Sequence, residues 1–280
     1  MKIGIFDSGL GGLLIFKELS RKLPKYDYVY LGDVKRLPYG SRSDEAIFEF
    51  TKEAVRHLFD KENCKLIILA CNTASARALR RIQQEILPKE YPDRRVLGVI
   101  IPTAEEAINS YELRIANYEL KNKVNKIIGV LATSATVRSG VYKREINKLD
   151  PKIKVFERSA PSLVSLIENG EIKFTEPLIR KYLKPILGKM DTLILGCTHY
   201  PLVEKNIKKI VGKKVRIISQ NKILPGKLSD YLKRHPEIEN CLDKDGGRKL
   251  LVTEMADNYI KIAKKWFGKF TSLMIVNIEK

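Results

Sequence analysis

Short apolar runs alternate along the chain with longer stretches in which apolar residues recur every third or fourth position. The runs predict strands at Lys2–Phe6, Tyr28–Leu31, Lys65–Ala70, Arg95–Ile100, Lys126–Leu131, Ile153–Phe156, Thr192–Gly196, Val215–Ile218, Leu250–Thr253 and Ser272–Ile278. Between them the helical period predicts a helix over Leu13–Leu23, stopped by Pro24, and another over Asp44–Lys61. In the second, Ile47, Phe50, Ala54 and Leu58 share a face and Ser43 is placed to cap the N-terminus. A third helix carries Leu79, Ile82 and Ile86 on one side and closes at Pro88. Further helices are expected from Thr103, after Thr136 through Ile146, over Pro161–Glu168, from Pro177, and over Pro201–Ile210, Leu228–Lys233 and Ala256–Phe267. The segment 117–125 turns polar and irregular and reads as a surface turn or insertion. Strand–helix alternation of this kind predicts an α/β fold with mostly parallel sheets flanked by helices.

Length and composition narrow the class. The chain has 280 residues, enough for one large or two smaller domains, and 44% of them are hydrophobic, enough for a substantial core. No apolar run reaches the ~20 residues that span a bilayer. The N-terminal residues read as a first strand rather than a secretory leader, so the expectation is a soluble cytoplasmic protein. Four cysteines do not make a disulfide framework, no CxxC is present, and the three histidines are scattered, so no metal site is expected. Net charge is +19, with lysines clustered at 205, 208, 209, 213 and 214 and at 261, 264 and 265. Their spacing resembles solvated helix faces, and no nucleic-acid motif accompanies them, so a lysine-rich surface is preferred to a nucleic-acid site.

Two of the cysteines stand in matching contexts. Lys65–Ala70 leads into Cys71-Asn72-Thr73-Ala74-Ser75, and Thr192–Gly196 leads into Cys197-Thr198-His199-Tyr200-Pro201. In a parallel sheet this sets each thiol at the carboxyl end of a strand, where ligands bind. A following helix N-terminus would favour thiolate. Asp7-Ser8-Gly9-Leu10-Gly11-Gly12 likewise follows a strand and opens a helix. Its carboxylate would repel a phosphate, so an acid–base or amine-binding role fits better, with an N-cap role for Asp7 as the alternative. Gly32-Asp33 and Pro38-Tyr39-Gly40-Ser41 form a turn-rich loop at the same sheet edge. His199 is the one histidine with such a setting. Cys64, Cys241, His57 and His235 read as structural or exposed.

Taken in order, these motifs resemble those of the glutamate racemases, a family of cofactor-independent amino-acid racemases. The resemblance runs through Asp7–Gly12, Tyr30–Asp33 with Pro38-Tyr39-Gly40, Ala70–Ser75, Ala132–Tyr142 and Gly196–Leu202, and so spans most of the chain. Departures from the family pattern fall at Val34-Lys35, Ala132-Thr133, Ala160-Pro161 and Ser219-Gln220, where an acidic residue is usual.

The resemblance implies that L- and D-glutamate are interconverted by two thiols, for peptidoglycan synthesis, without cofactor or metal. It implies that Cys71, assisted by Asp7, takes the α-proton of D-glutamate, and that Cys197, assisted by His199, takes that of L-glutamate. Glu168 is the candidate to hold His199. Ser8, Asn72, Thr73, Thr133, Thr136 and Thr198 are the expected substrate-binding residues, with Pro38, Tyr39 and Gly40 shaping the far end. Two similar domains are implied, one of residues 1–98 plus 215–280 and one of residues 99–214, with the site in the cleft between them. A homodimer is expected. The alternatives are an aspartate racemase or related enzyme, a basic nucleic-acid-binding protein with an inactive racemase fold, and a thiol redox protein using Cys71 and Cys197.

Overall fold

The computed structural model describes residues 1–116, 126–255, 260, 264 and 273–279. The stretch 117–125 and nearly all of the helix expected over 256–267 lie outside them. Ten strands are present among the described residues: β1 (Lys2–Asp7), β2 (Tyr28–Gly32), β3 (Cys64–Leu69), β4 (Arg95–Gly98), β5 (Ile127–Ala132), β6 (Lys154–Ser159), β7 (Thr192–Gly196), β8 (Arg216–Ile218), β9 (Arg248–Val252) and β10 (Leu273–Ile275). They form a six-stranded sheet ordered β10-β9-β2-β1-β3-β4 and a four-stranded sheet ordered β6-β5-β7-β8. Every pairing is parallel. The order β2-β1-β3-β4 in the first sheet repeats as β6-β5-β7-β8 in the second, so β3 and β7, the strands that lead to Cys71 and Cys197, hold equivalent places.

Side chains on both faces of the central strands are buried, as helices on both sides require. One face of the first sheet packs Ile3, Ile5, Leu66 and Ile68 against the helix Leu13–Lys22 and against Leu224, Leu228 and Leu232 of the helix Gln220–Arg234. The other face packs Phe6, Ile67 and Leu69 against Ile47, Ala54 and Leu58 of the helix Asp44–Asp60, which Ser43 caps by accepting the Ala46 N–H at 3.2 Å. The second sheet has its own cores around Leu193 and Leu195 and around Val130 and Ile194.

Several expectations are corrected. The return to the first sheet does not begin at residue 215, because β8 pairs with β7 and Ile218 packs in the second sheet's core. The chain returns with the helix Gln220–Arg234. That helix starts well before the expected Leu228, because Leu224, Leu228 and Leu232 supply an apolar face that outweighs Pro225 in its second turn. β4 ends at Gly98, and Ile100–Ala116 is helical from its first residue. Pro102 falls in the first turn, where its missing N–H costs no helical hydrogen bond. The helix expected through Ile146 is two helices, Ser134–Ser139 and Val141–Leu149, broken at Gly140.

Candidate active site

A cavity of about 260 Å³ lies where the carboxyl ends of the two sheets meet. Ser8 follows β1 on its wall, Leu37 to Ser41 follow β2, and Cys71, Asn72 and Thr73 follow β3. The second sheet contributes Thr133, Ser134 and Arg138 after β5, Pro161 and Val164 after β6, and Cys197, Thr198 and His199 after β7. Among the predicted residues, Asp7, Glu168 and Thr136 do not reach the cavity surface; they are buried behind it. Thr136, expected among the substrate-binding residues, stands behind the wall and supports it. Its hydroxyl lies 3.0 Å from that of Thr133, which lies 2.9 Å from that of Thr73. Ser134, Arg138, Leu37, Ser41, Pro161 and Val164 line the cavity although the sequence reading assigned them no role. Arg138 stood inside a quoted motif, and its charge was the signal available.

The loop after β1 is held from both sheets. Asp7 Oδ2 accepts the N–H groups of Gly9 and Gly12, each at 3.1 Å, and Asp7 Oδ1 accepts the Thr198 hydroxyl at 3.1 Å. The Tyr30 hydroxyl donates to the Gly9 carbonyl at 2.5 Å. Glycine is required at position 11, where a Cβ would stand 2.7 Å from Thr198 Oγ1 and 2.8 Å from His199 Nδ1. It is required again at position 40, where a Cβ would stand 2.8 Å from Thr133 Cβ. Loops of the first sheet thus touch the second sheet with no room for a side chain. Asp33 fixes the Pro38-Tyr39-Gly40 loop: its Oδ2 accepts from the Tyr39 hydroxyl at 2.5 Å and from Arg36 Nε at 2.6 Å. Its Oδ1 accepts from Thr253 Oγ1 at 2.9 Å.

The two thiols differ in their surroundings. Cys71 precedes the short helix Asn72–Arg77, and its Sγ accepts the Ala74 N–H at 3.5 Å and lies 3.3 Å from Ser8 Oγ. Burial, with the Asp7 carboxylate adding to it, pushes the thiol up to about 12. The helix N-terminus does favour thiolate through the Ala74 N–H, as expected, but burial and a neighbouring anion outweigh that hydrogen bond and the one from Ser8. Asp7 is itself held above the usual carboxylate range by burial, against the opposing pull of His199 and of the Gly12, Gly9 and Thr198 donors. Cys197 Sγ lies 3.7 Å from His199 Nδ1, and His199 Nε2 is in contact with Glu168 Oε1. Burial opposes a charge on His199, but Glu168 and Cys197 outweigh it and hold the ring well above the ordinary imidazole range. Glu168 Oε1 also receives the Leu10 N–H at 3.4 Å, so the His199 support reaches back to the loop of the first sheet.

An arrangement of two thiols from equivalent strands, one beside a carboxyl group and one beside an imidazolium, can remove a proton at one sulfur and return one from the other. The fold and the cavity thereby define an amino-acid racemase of the two-sheet α/β type. A sequence model of the Asp/Glu/hydantoin racemase family matches residues 14–224, and the chain belongs to that family. It is 39% identical over 268 residues to a glutamate racemase of Lactococcus lactis subsp. cremoris, covering 95% of this chain and 92% of that one. To a glutamate racemase of Aquifex pyrophilus it is 40% identical over 271 residues, covering 96% and 95%. Among solved structures, a glutamate racemase isoform of Bacillus anthracis superposes with a TM-score of 0.83 at 34% identity, covering 99% of this chain and 97% of that one. A glutamate racemase of Francisella tularensis, solved in complex with D-glutamate, does so with a TM-score of 0.83 at 32% identity, covering 99% and 98%.

Proposed function

We propose that this chain interconverts L- and D-glutamate by a two-base mechanism at Cys71 and Cys197. The observation that carries the reading is the placement of one thiol from each sheet, after equivalent strands, on a single cavity. Its support from likeness is the glutamate racemases it matches over nearly its whole length.

In the proposed reaction one sulfur, as thiolate, takes the α-proton, and the other, as thiol, protonates the resulting carbanion from the opposite face. The product leaves the two sulfurs with exchanged protonation states, which the reverse reaction restores. Cys71 serves D-glutamate and Cys197 serves L-glutamate. Asp7, whose own charge is disfavoured by burial, is the acceptor for the Cys71 proton; the substrate ammonium, once seated nearby, supplies the cation that the thiolate otherwise lacks. His199, held charged by Glu168, stabilises the Cys197 thiolate and restores its proton. Negative charge developing on the α-carboxylate is met by donors of Ser8, Asn72, Thr73 and Thr133, while the Thr198 hydroxyl on the same wall is spent on Asp7. Arg138 faces the same cavity, and its guanidinium gives a second carboxylate a counter-charge, which favours a dicarboxylic substrate.

On the resemblance alone we further propose a homodimeric cytoplasmic enzyme that supplies D-glutamate for peptidoglycan and needs no cofactor. Among the described residues no helix is long and apolar enough to cross a membrane. The test is turnover of each glutamate and aspartate enantiomer without added cofactor. Glutamate is expected to racemise at least tenfold more efficiently than aspartate, and equal use of both would favour the broader-specificity alternative. Steeply salt-dependent DNA binding with no turnover would favour the nucleic-acid reading.

A further inference from the structure

Asn72 is buried, and its amide is engaged on one side only. Its Oδ1 accepts the Tyr142 hydroxyl at 2.6 Å and Gln220 Nε2 at 3.2 Å, while Gln220 Nε2 also reaches the Tyr142 oxygen at 3.1 Å. The three side chains close a buried triangle, with Asn72 2%, Tyr142 0% and Gln220 1% exposed. Asn72 Nδ2 has no hydrogen-bond partner among the described residues, and Asn72 lines the cavity.

An asparagine amide can present either its donor or its acceptor to a ligand, and only its other contacts decide which. Facing a substrate carboxylate, Oδ1 would repel and Nδ2 would bind. We infer that Gln220 and Tyr142 are positioning residues that hold the Asn72 amide with Nδ2 turned to the substrate carboxylate. The inference rests on the proposed racemisation and identifies what keeps one of its donors in register.

The three residues come from different parts of the fold. Asn72 follows β3, Tyr142 lies on the helix Val141–Leu149 packed on the second sheet, and Gln220 opens the helix by which the chain returns to the first sheet. The lock therefore forms only when both sheets and the return helix are in place. Burial raises the Tyr142 phenol, which keeps it a donor throughout the working pH range.

The Gln220→Glu variant tests it. An ionised carboxylate can only accept, so it takes the Tyr142 hydroxyl and Asn72 Nδ2 and turns Oδ1 toward the substrate. KM for both enantiomers is expected to rise about tenfold or more where the introduced carboxyl is ionised. It should return toward the wild-type value as pH falls and that carboxyl regains a proton to donate. The Asn72→Ala variant should raise KM comparably, and adding Gln220→Glu to it should change KM no further. A wild-type KM in Gln220→Glu across the pH range, or additive effects in the double variant, would overturn the inference. Lack of turnover in the wild-type protein would instead defeat the racemase reading. The Asn72 side-chain amide resonances would then test the lock alone: they should shift in Gln220→Glu, and unmoved resonances would overturn it.

Discussion

Replacing Glu168 by Gln removes a buried charge while keeping size and a carbonyl oxygen in place. In the wild type, Glu168 and His199 are 5% and 2% exposed, and Glu168 is the group that, with Cys197, overcomes the effect of burial on the imidazolium. A hydrogen bond to a charged partner contributes about 1.5–3 kcal/mol and a neutral one about 0.5–1.5 kcal/mol, so the exchange costs roughly 1–2 kcal/mol at this contact. Expressed at the transition state, that is about a five- to thirtyfold fall in kcat/KM. The enantiomers have equal free energy, so kcat/KM must fall by the same factor in both directions, whichever thiol His199 serves.

The pH dependence gives a second readout. A folded-state pKa raised above the unfolded value, about 6.5 for histidine, contributes stability that is complete below that value. The contribution is lost as pH rises through the folded pKa. With glutamine at 168 the largest influence opposing burial is gone, and the ring loses its proton at lower pH than in the wild type. The variant should therefore show an activity limb shifted to lower pH and a flatter stability curve above pH ~6.5. Polarimetric progress curves from pure L- and pure D-glutamate, with thermal melts over the same pH range, measure both. Wild-type kcat/KM with an unmoved pH profile would refute the role given to Glu168.

Two further outcomes follow from the site. Asp7→Asn should separate stability from activity. The folded pKa of Asp7 is raised, so its stabilising contribution is present below about 3.8 and lost as pH rises through the folded pKa. The variant should melt no lower than wild type at pH 7 while turning over at least ~100-fold more slowly, the usual scale of a lost acid–base group; a clear fall in melting temperature would count against this account. Arg138→Gln should raise KM for glutamate several-fold and leave kcat nearly unchanged, and an unaltered KM in steady-state kinetics would remove Arg138 from the substrate's distal end.

The strands were legible because their apolar runs are short, continuous and bounded by turn residues, and the thiol segments were legible because each follows such a run. What escaped depends on contacts between distant elements. Nothing local marks Tyr142 or Gln220 as partners of Asn72; their hydrogen bonds span 70 and 148 residues. The start of the return helix was hidden by Pro225 and by the polar opening Gln220-Asn221-Lys222, whose cost is offset by tertiary packing of Leu224, Leu228 and Leu232. The direction of the Cys71 shift was misjudged for a related reason: the helix N-terminus is visible in sequence, whereas burial beside the Asp7 carboxylate is not. Glu168 was a candidate from the family pattern, and its contacts with His199 and the Leu10 amide could not be read from the sequence.

The most direct test of the two-thiol account is α-proton exchange in D2O with the wild type and with Cys71→Ser and Cys197→Ser. The wild type should racemise both enantiomers and incorporate deuterium at Cα. Neither variant should racemise. Cys71→Ser should retain slow exchange into L-glutamate without inversion, and Cys197→Ser should retain it into D-glutamate. Racemisation at the wild-type rate in either variant would contradict the account.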